Sequence, residues 1–283
     1  DLSSKDDKIK VGICSEFLRY SHVVGKLYIK VLIDLLKTDL EITIYLPPET
    51  KKYEDFEILK KHFKRLVYLP KSPIDAKKVI MRDSLDILFY PDIGMSKYTY
   101  LLALSRLALV QVNSLGHTST SGIKTMDYFI TTDVEPSTSD TRYTENLIRF
   151  SRLPFNYPKP IINKSKIKNK YVMNSEEYFR IGLIQTLFKI HPDYDEILEE
   201  ILKEIPQARL ILVKDKLNSV TEALRDRWRI KNKLLLERSI FLERMSNNSF
   251  INIIKNCDIM LDPLYYGSGN TFYESMAFGT PFI

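Results

Sequence analysis

Cysteine is nearly absent from this 283-residue chain: Cys14 and Cys257 lie far apart, each inside an apolar run. Two such thiols exclude a disulfide scaffold and suit a reducing compartment, so a cytoplasmic protein is expected. Histidine is scarce as well, and the four histidines and two cysteines never fall at zinc-ligand spacing. No apolar run approaches the ~20 residues that a membrane span needs. The longest, residues 101–112, is broken by Ser105 and Arg106. The start at Asp1 carries charges where a signal peptide needs an apolar stretch. With 44% hydrophobic and 28% charged residues, the composition is that of a folded chain with ample core.

The charge of one sign that could matter is positive, at +6. Lys and Arg are spread along the whole chain and mostly alternate with Asp and Glu, which describes a solvated surface. The one dense cluster, residues 164–170, falls where a linker is expected, and no RNA-recognition, helix-turn-helix or zinc-finger pattern is present. A nucleic-acid partner is therefore not expected.

What is present is alternation. Residues 10–14 form a short apolar run that stops at Ser15, the pattern of a buried parallel strand. Val23, Val24, Leu27, Tyr28, Val31, Leu32 and Leu35 then recur at helical spacing. Strands are predicted at 41–46, 65–69, 86–90, 108–112 and near 128–131, with helices at 53–63, 74–82 and 98–107 between them. Pro154, Pro158, Pro160 and the lysine-rich stretch interrupt this pattern. A second series follows: strands at 179–183, 208–213, 239–242 and 258–261, and helices at 193–204, 217–228, 250–256 and from Asn270. The reading is an α/β fold of two Rossmann-like domains, 1–165 and 166–283, facing each other across a cleft, with function in loops beyond the strands' carboxyl ends. Residues 281–283 read as the beginning of another core strand, so the second domain is expected to continue past Ile283.

Four loops could carry chemistry. Tyr265-Tyr266-Gly267-Ser268-Gly269-Asn270-Thr271 follows a strand and opens a helix, with Glu274 one turn in. Its glycines and free N–H groups suit a phosphate, with Ser268, Asn270 and Thr271 as side-chain donors and Glu274 as an acceptor for ribose hydroxyls. An ordinary strand-to-helix turn would look the same. Gln185-Thr186-Leu187-Phe188-Lys189 follows the first strand of the second series; Lys189 could neutralise a departing diphosphate without a metal, or be a surface lysine. Residues 114–122 are hydroxyl-rich and hold His117; His22 stands at a predicted helix start. Each histidine could serve as base or phosphate ligand, or merely cap a loop. Asp193-Tyr194-Asp195 matches a metal-binding D-x-D pattern but falls in the first turn of an amphipathic helix, where carboxylates suit the dipole.

Taken together the loops resemble the O-GlcNAc transferase-like family, which also holds bacterial adhesin N-glucosyltransferases. Val11-Gly12-Ile13 with Ser15-Glu16-Phe17 and His22-Val23-Val24-Gly25 is similar to that family's opening. Residues 114–122 with Met126-Asp127-Tyr128-Phe129-Ile130-Thr131 resemble its L-G-(Y/H) segment, residues 183–192 its lysine motif, and residues 262–281 its terminal stretch. All four run in the family's order.

The resemblance implies a GT-B fold, with the acceptor on the N-terminal side and the nucleotide sugar on the C-terminal side. It further implies inverting transfer without metal or other cofactor. By position, His22, His117 and Lys189 would be catalytic; Gln185, Thr186, Lys189, Ser268, Gly269, Asn270, Thr271 and Glu274 would bind the nucleotide sugar. The partners implied are UDP-GlcNAc as donor and a Ser or Thr of a protein as acceptor. Alternatives are a UDP-hexose protein N-glucosyltransferase, a glycan-directed transferase, or a non-catalytic nucleotide-sugar or protein-binding module. The sequence departs from the family at Gly269-Asn270-Thr271 and Glu274, and in the base-contacting loop, which falls near residues 242–247. No tetratricopeptide repeats precede the core within these residues.

Overall fold

The structure, a computed structural model, describes residues 8–52, 57–163 and 177–283. The chain divides into two compact units, Asp1–Pro158 and Lys159–Ile283. The expected boundary at 165/166 and the lysine cluster 164–170 lie outside the described residues.

The first unit runs β1 (Ile9–Cys14), α1 (Val23–Leu35), β2 (Leu40–Leu46), α2 (Glu57–His62), β3 (Leu66–Tyr68), α3 (Pro73–Met81) and β4 (Leu85–Tyr90). It continues with α4 (Lys97–Ala103), β5 (Ala108–Ser114), β6 (Tyr128–Thr132) and β7 (Asn146–Phe150). The seven strands pair in the order β3-β2-β1-β4-β5-β6-β7, every pair parallel. Near-continuous apolar strands follow from a sheet covered on both faces; the last four residues of β1 and the last five of β2 are buried. Helix α1 lays Val24, Leu27, Tyr28 and Leu32 against the sheet, as its spacing predicts. Helix α4 ends at Ala103, before the predicted 107, because Ser105 and Arg106 turn the chain into β5.

The second unit runs β8 (Phe179–Gly182), α5 (Asp193–Glu204), β9 (Ala208–Val213), α6 (Asn218–Lys231) and α7 (Lys233–Glu237). Then come β10 (Ser239–Leu242), α8 (Asn247–Asn256), β11 (Ile259–Met260) and α9 (Asn270–Phe278). Its four parallel strands pair in the order β10-β9-β8-β11, and Phe282 bridges in parallel to Met260. Its core centres on Trp228, fully buried, whose indole N–H donates to Asp195 Oδ1 at 2.8 Å. Arg227 also engages the Asp195 carboxylate, at 2.8 Å, so this half of the D-x-D pair is spent on structure.

Both units repeat one strand order: third, second, first, fourth. Both also fasten the fourth strand to the first in the same way. The backbone N–H of Lys10 donates to Asp86 Oδ2 at 2.8 Å, and that of Arg180 to Asp258 Oδ2 at 2.7 Å. The reversal of strand order opens a crevice beyond the carboxyl ends of the first and fourth strands, which is where ligands bind in such sheets. In the first unit that point lies beyond β1 and β4, and in the second beyond β8 and β11.

Candidate active site

In the second unit the two loops that leave the switch point are laced together. Gln185, buried after β8, donates through Nε2 to Leu261 O at 3.1 Å and to Ser268 Oγ at 2.8 Å. Its Oε1 is buried without a hydrogen-bond partner. Lys189 donates through Nζ to Gly267 O at 3.0 Å, and the same ammonium lies 4.4 Å from the centre of the Tyr266 ring. Asp262, two residues past β11, accepts from the Ser268 N–H at 2.6 Å and thereby curls the loop back.

Helix α9 then opens at Asn270. Its cap residue, Gly269, supplies no side-chain bond, and no acidic residue stands in the first turn. The Phe272 N–H turns back to Gly269 O at 3.2 Å, and the helix dipole favours an anion at this start. The lysine and the uncapped helix start belong to the same loop system.

Behind them lies a cavity of about 220 Å³ lined by Gln185, Thr186 and Thr271 together with Lys214, Asp215 and Arg244. Of the sequence-predicted residues, Gln185, Thr186 and Thr271 meet in its lining, and Ser268 and Lys189 join them through the bonds above. Glu274 is buried one turn into α9 and is not part of that lining. Lys214 and Asp215 were not singled out from the sequence. Their signal was position alone, since they leave the carboxyl end of β9 beside the switch point. Arg244 falls in the stretch 242–247 where the resemblance put a base-contacting loop.

In the first unit, both candidate histidines are caps. His22 is the N-cap of α1: its Nδ1 accepts from the Val24 N–H at 3.3 Å, so the neutral ring carries its proton on Nε2. Burial, with the charges of Arg19 and Lys26, lowers its pKa to about 4. His117 Nδ1 likewise accepts from the Ser119 N–H at 3.3 Å.

Two buried carboxylates that the sequence reading passed over organise these histidines. Asp92 Oδ2 accepts from the Ser15 hydroxyl at 3.0 Å and the Glu16 N–H at 2.8 Å. Ser15 Oγ in turn accepts from the Phe17 N–H at 3.0 Å, and the Phe17 ring stacks on His22 at 4.3 Å. Burial, the largest influence, pushes the Asp92 carboxyl up to about 7 against the hydrogen bonds it receives. Two residues on, Gly94 has a φ of +96° and sits under the His117 ring, where a Cβ would come within 3.1 Å of Cγ.

Glu145, just before β7, gathers the hydroxyl-rich loop. Its Oε2 accepts from Thr120 Oγ1 at 2.6 Å and Thr144 Oγ1 at 3.1 Å, and its Oε1 from the Ser121 N–H at 2.8 Å and the Ser121 hydroxyl. Burial pushes its carboxyl up, but the Ser121 and Thr120 bonds outweigh this and hold it below the usual value. Neither acid belongs to a motif that sequence reading would flag.

No known family profile matches the chain. It is 24% identical over 194 residues to a UDP-glucose:protein N-beta-glucosyltransferase of Actinobacillus pleuropneumoniae, covering 68% of this chain and 31% of that protein. It is 27% identical over 227 residues to a probable UDP-N-acetylglucosamine--peptide N-acetylglucosaminyltransferase SPINDLY of Solanum lycopersicum, covering 74% of this chain and 23% of that protein. The chain thus spans about a third or less of the length of the curated relatives it matches. Among solved structures, an O-GlcNAc transferase mutant of Thermobaculum terrenum aligns over 98% of this chain and 52% of its own, with a TM-score of 0.80 and 23% identity. The fold is accordingly of the GT-B type, and the resemblance carried by the four motifs extends over most of the chain.

Proposed function

We propose that the chain is the catalytic core of a glycosyltransferase that moves a sugar from a nucleotide diphosphate to a protein. The observation that carries this reading is Lys189 Nζ, at 3.0 Å from Gly267 O, in the loop system that leaves the start of α9 uncapped. A cation and a helix start without a side-chain cap, in one loop system, are what a departing diphosphate needs. The protein relatives and the cavity beside Thr271 support the nucleotide-sugar part of the reading.

In the reaction, a hydroxyl or amide of the acceptor attacks the anomeric carbon as the bond to the β-phosphate oxygen breaks. Direct displacement inverts that carbon, through a transition state of oxocarbenium character. Charge grows on the leaving diphosphate, and Lys189 with the α9 N–H groups stabilises it, so no step calls for a metal. The acceptor's proton must go to a base. His22 suits this poorly: with a pKa near 4 it is a weak base, and freeing Nδ1 would uncap α1. Its Nε2–H is instead a donor for a substrate oxygen. Releasing His117 costs one bond to the exposed Ser119 backbone, so proton acceptance is assigned to His117.

The preferred donor is UDP-GlcNAc and the acceptor Ser or Thr. UDP-glucose transfer to Asn is the second reading, favoured by the Actinobacillus relative. Calorimetry with UDP, UDP-GlcNAc, UDP-glucose and GDP-fucose, without added metal, tests both. Selective binding of one donor, weakened in Lys189→Ala, supports the transferase and chooses the sugar. Turnover in Lys189→Ala is expected to fall about a hundredfold; undiminished turnover removes Lys189 from the mechanism.

A further inference from the structure

Tyr265 and Tyr266 are large aromatics left 78% and 59% exposed on the loop between β11 and α9. Tyr265 has a φ of +68°, a conformation that a bulky residue adopts only when its surroundings impose it. The surroundings here are specific. The Tyr265 hydroxyl donates to Asp193 Oδ2 at 2.7 Å, and its ring meets the His191 ring edge-on with centroids 4.9 Å apart. Both partners lie at the start of α5, two and four residues beyond Lys189.

The left-handed turn at Tyr265 sends the next residue the other way. The Tyr266 ring receives the Lys189 ammonium at 4.4 Å, and the following carbonyl, Gly267 O, accepts its hydrogen bond. An ammonium has three N–H donors. A ring face and one carbonyl engage it from this loop and leave N–H groups for a further acceptor.

We infer that the two tyrosines form a clamp that positions Lys189 for the diphosphate, Tyr265 by pinning the loop to α5 and Tyr266 by giving the ammonium a face to rest on. The inference rests on the nucleotide-sugar reading above and adds positioning residues to it. Tyr266 acts through Lys189. It is not assigned a contact with base or sugar.

The test is calorimetry on the whole chain with UDP and GDP, then with the monophosphate of whichever binds, UMP or GMP. The variants are Tyr266→Phe, Tyr266→Leu and Lys189→Met, with the double variant Lys189→Met/Tyr266→Leu. Far-UV circular dichroism checks that each is folded; position 266 is exposed. Tyr266→Phe keeps the ring and is expected to bind within twofold of wild type. Tyr266→Leu is expected to weaken the diphosphate about fivefold, the size of an exposed cation–ring contact, and the monophosphate less than twofold. In the Lys189→Met background the leucine is expected to add nothing.

Equal weakening of mono- and diphosphate, or a full leucine effect without Lys189, would mean that Tyr266 touches the nucleotide itself and would overturn the inference. So would unchanged diphosphate binding in Tyr266→Leu. If wild type binds neither UDP nor GDP, the nucleotide-sugar reading fails and the clamp fails with it.

Discussion

Asp92 sits fully buried beyond β4, with a hydroxyl and a backbone N–H donating to one of its oxygens. Its pKa near 7 lies above the unfolded value, so the folded state holds the proton more tightly. The stability this gives is complete below about pH 4 and is lost as pH rises toward 7. Asp92→Asn removes the dependence. Relative to wild type, the variant is expected to gain stability between pH 4 and 7, by about 4 kcal/mol at most, and to hold that gain above. Urea midpoints at pH 4.5, 6 and 8 check this; a constant difference across the series would refute it. Glu145 behaves oppositely, being ionised and saturated with donors. Glu145→Ala strands the Thr120 and Ser121 groups and is expected to cost about 2 kcal/mol. It should also lower turnover more than it alters donor binding, which initial rates and calorimetry separate. Neither acid was legible beforehand. Asp and Glu are read as surface by default, and only the meeting of distant loops beyond β1, β4 and β5 buries these two. Lys189, in contrast, was singled out by its likeness to the family's lysine motif, although the ring beneath it was not.

Among the elements, those with strong periodicity stand where spacing put them: 193–204, 208–213 and 239–242 match α5, β9 and β10 residue for residue. Strand β7 was missed: Asn146 and Arg149 leave it only a two-residue apolar run, and no residue of it is fully buried. So short a run shows neither the continuous apolar stretch of a buried strand nor a clean alternation. Helix α7 was missed for its five-residue length, too short for a helical period to register. The helix caps are informative in another way. Ser96 caps α4 by accepting from the Thr99 N–H, and its hydroxyl donates to Glu16 Oε2 at 2.6 Å, tying the helix to the loop beyond β1. Ser96→Ala should therefore cost ~1–2 kcal/mol in urea unfolding with the slope unchanged. A loss below 0.5 kcal/mol would show that water replaces the cap.

The first four strands of each unit share one order, and the two units differ in what they present at the switch point. The first offers buried acids behind histidines that serve as caps, the second a lysine and a helix start without a side-chain cap. That division predicts separable phenotypes. His117→Ala is expected to bind the donor within twofold of wild type while losing transfer at least a hundredfold, whereas Lys189→Ala loses both; isothermal titration beside a product assay distinguishes them. One further difference between the units is optical. The chain holds a single tryptophan, Trp228, sealed in the second unit's core with its N–H on Asp195. Emission excited near 295 nm is therefore blind to the first unit, while far-UV dichroism sums over both. Melted side by side, the two signals clock one half of the protein against the whole, with no label attached.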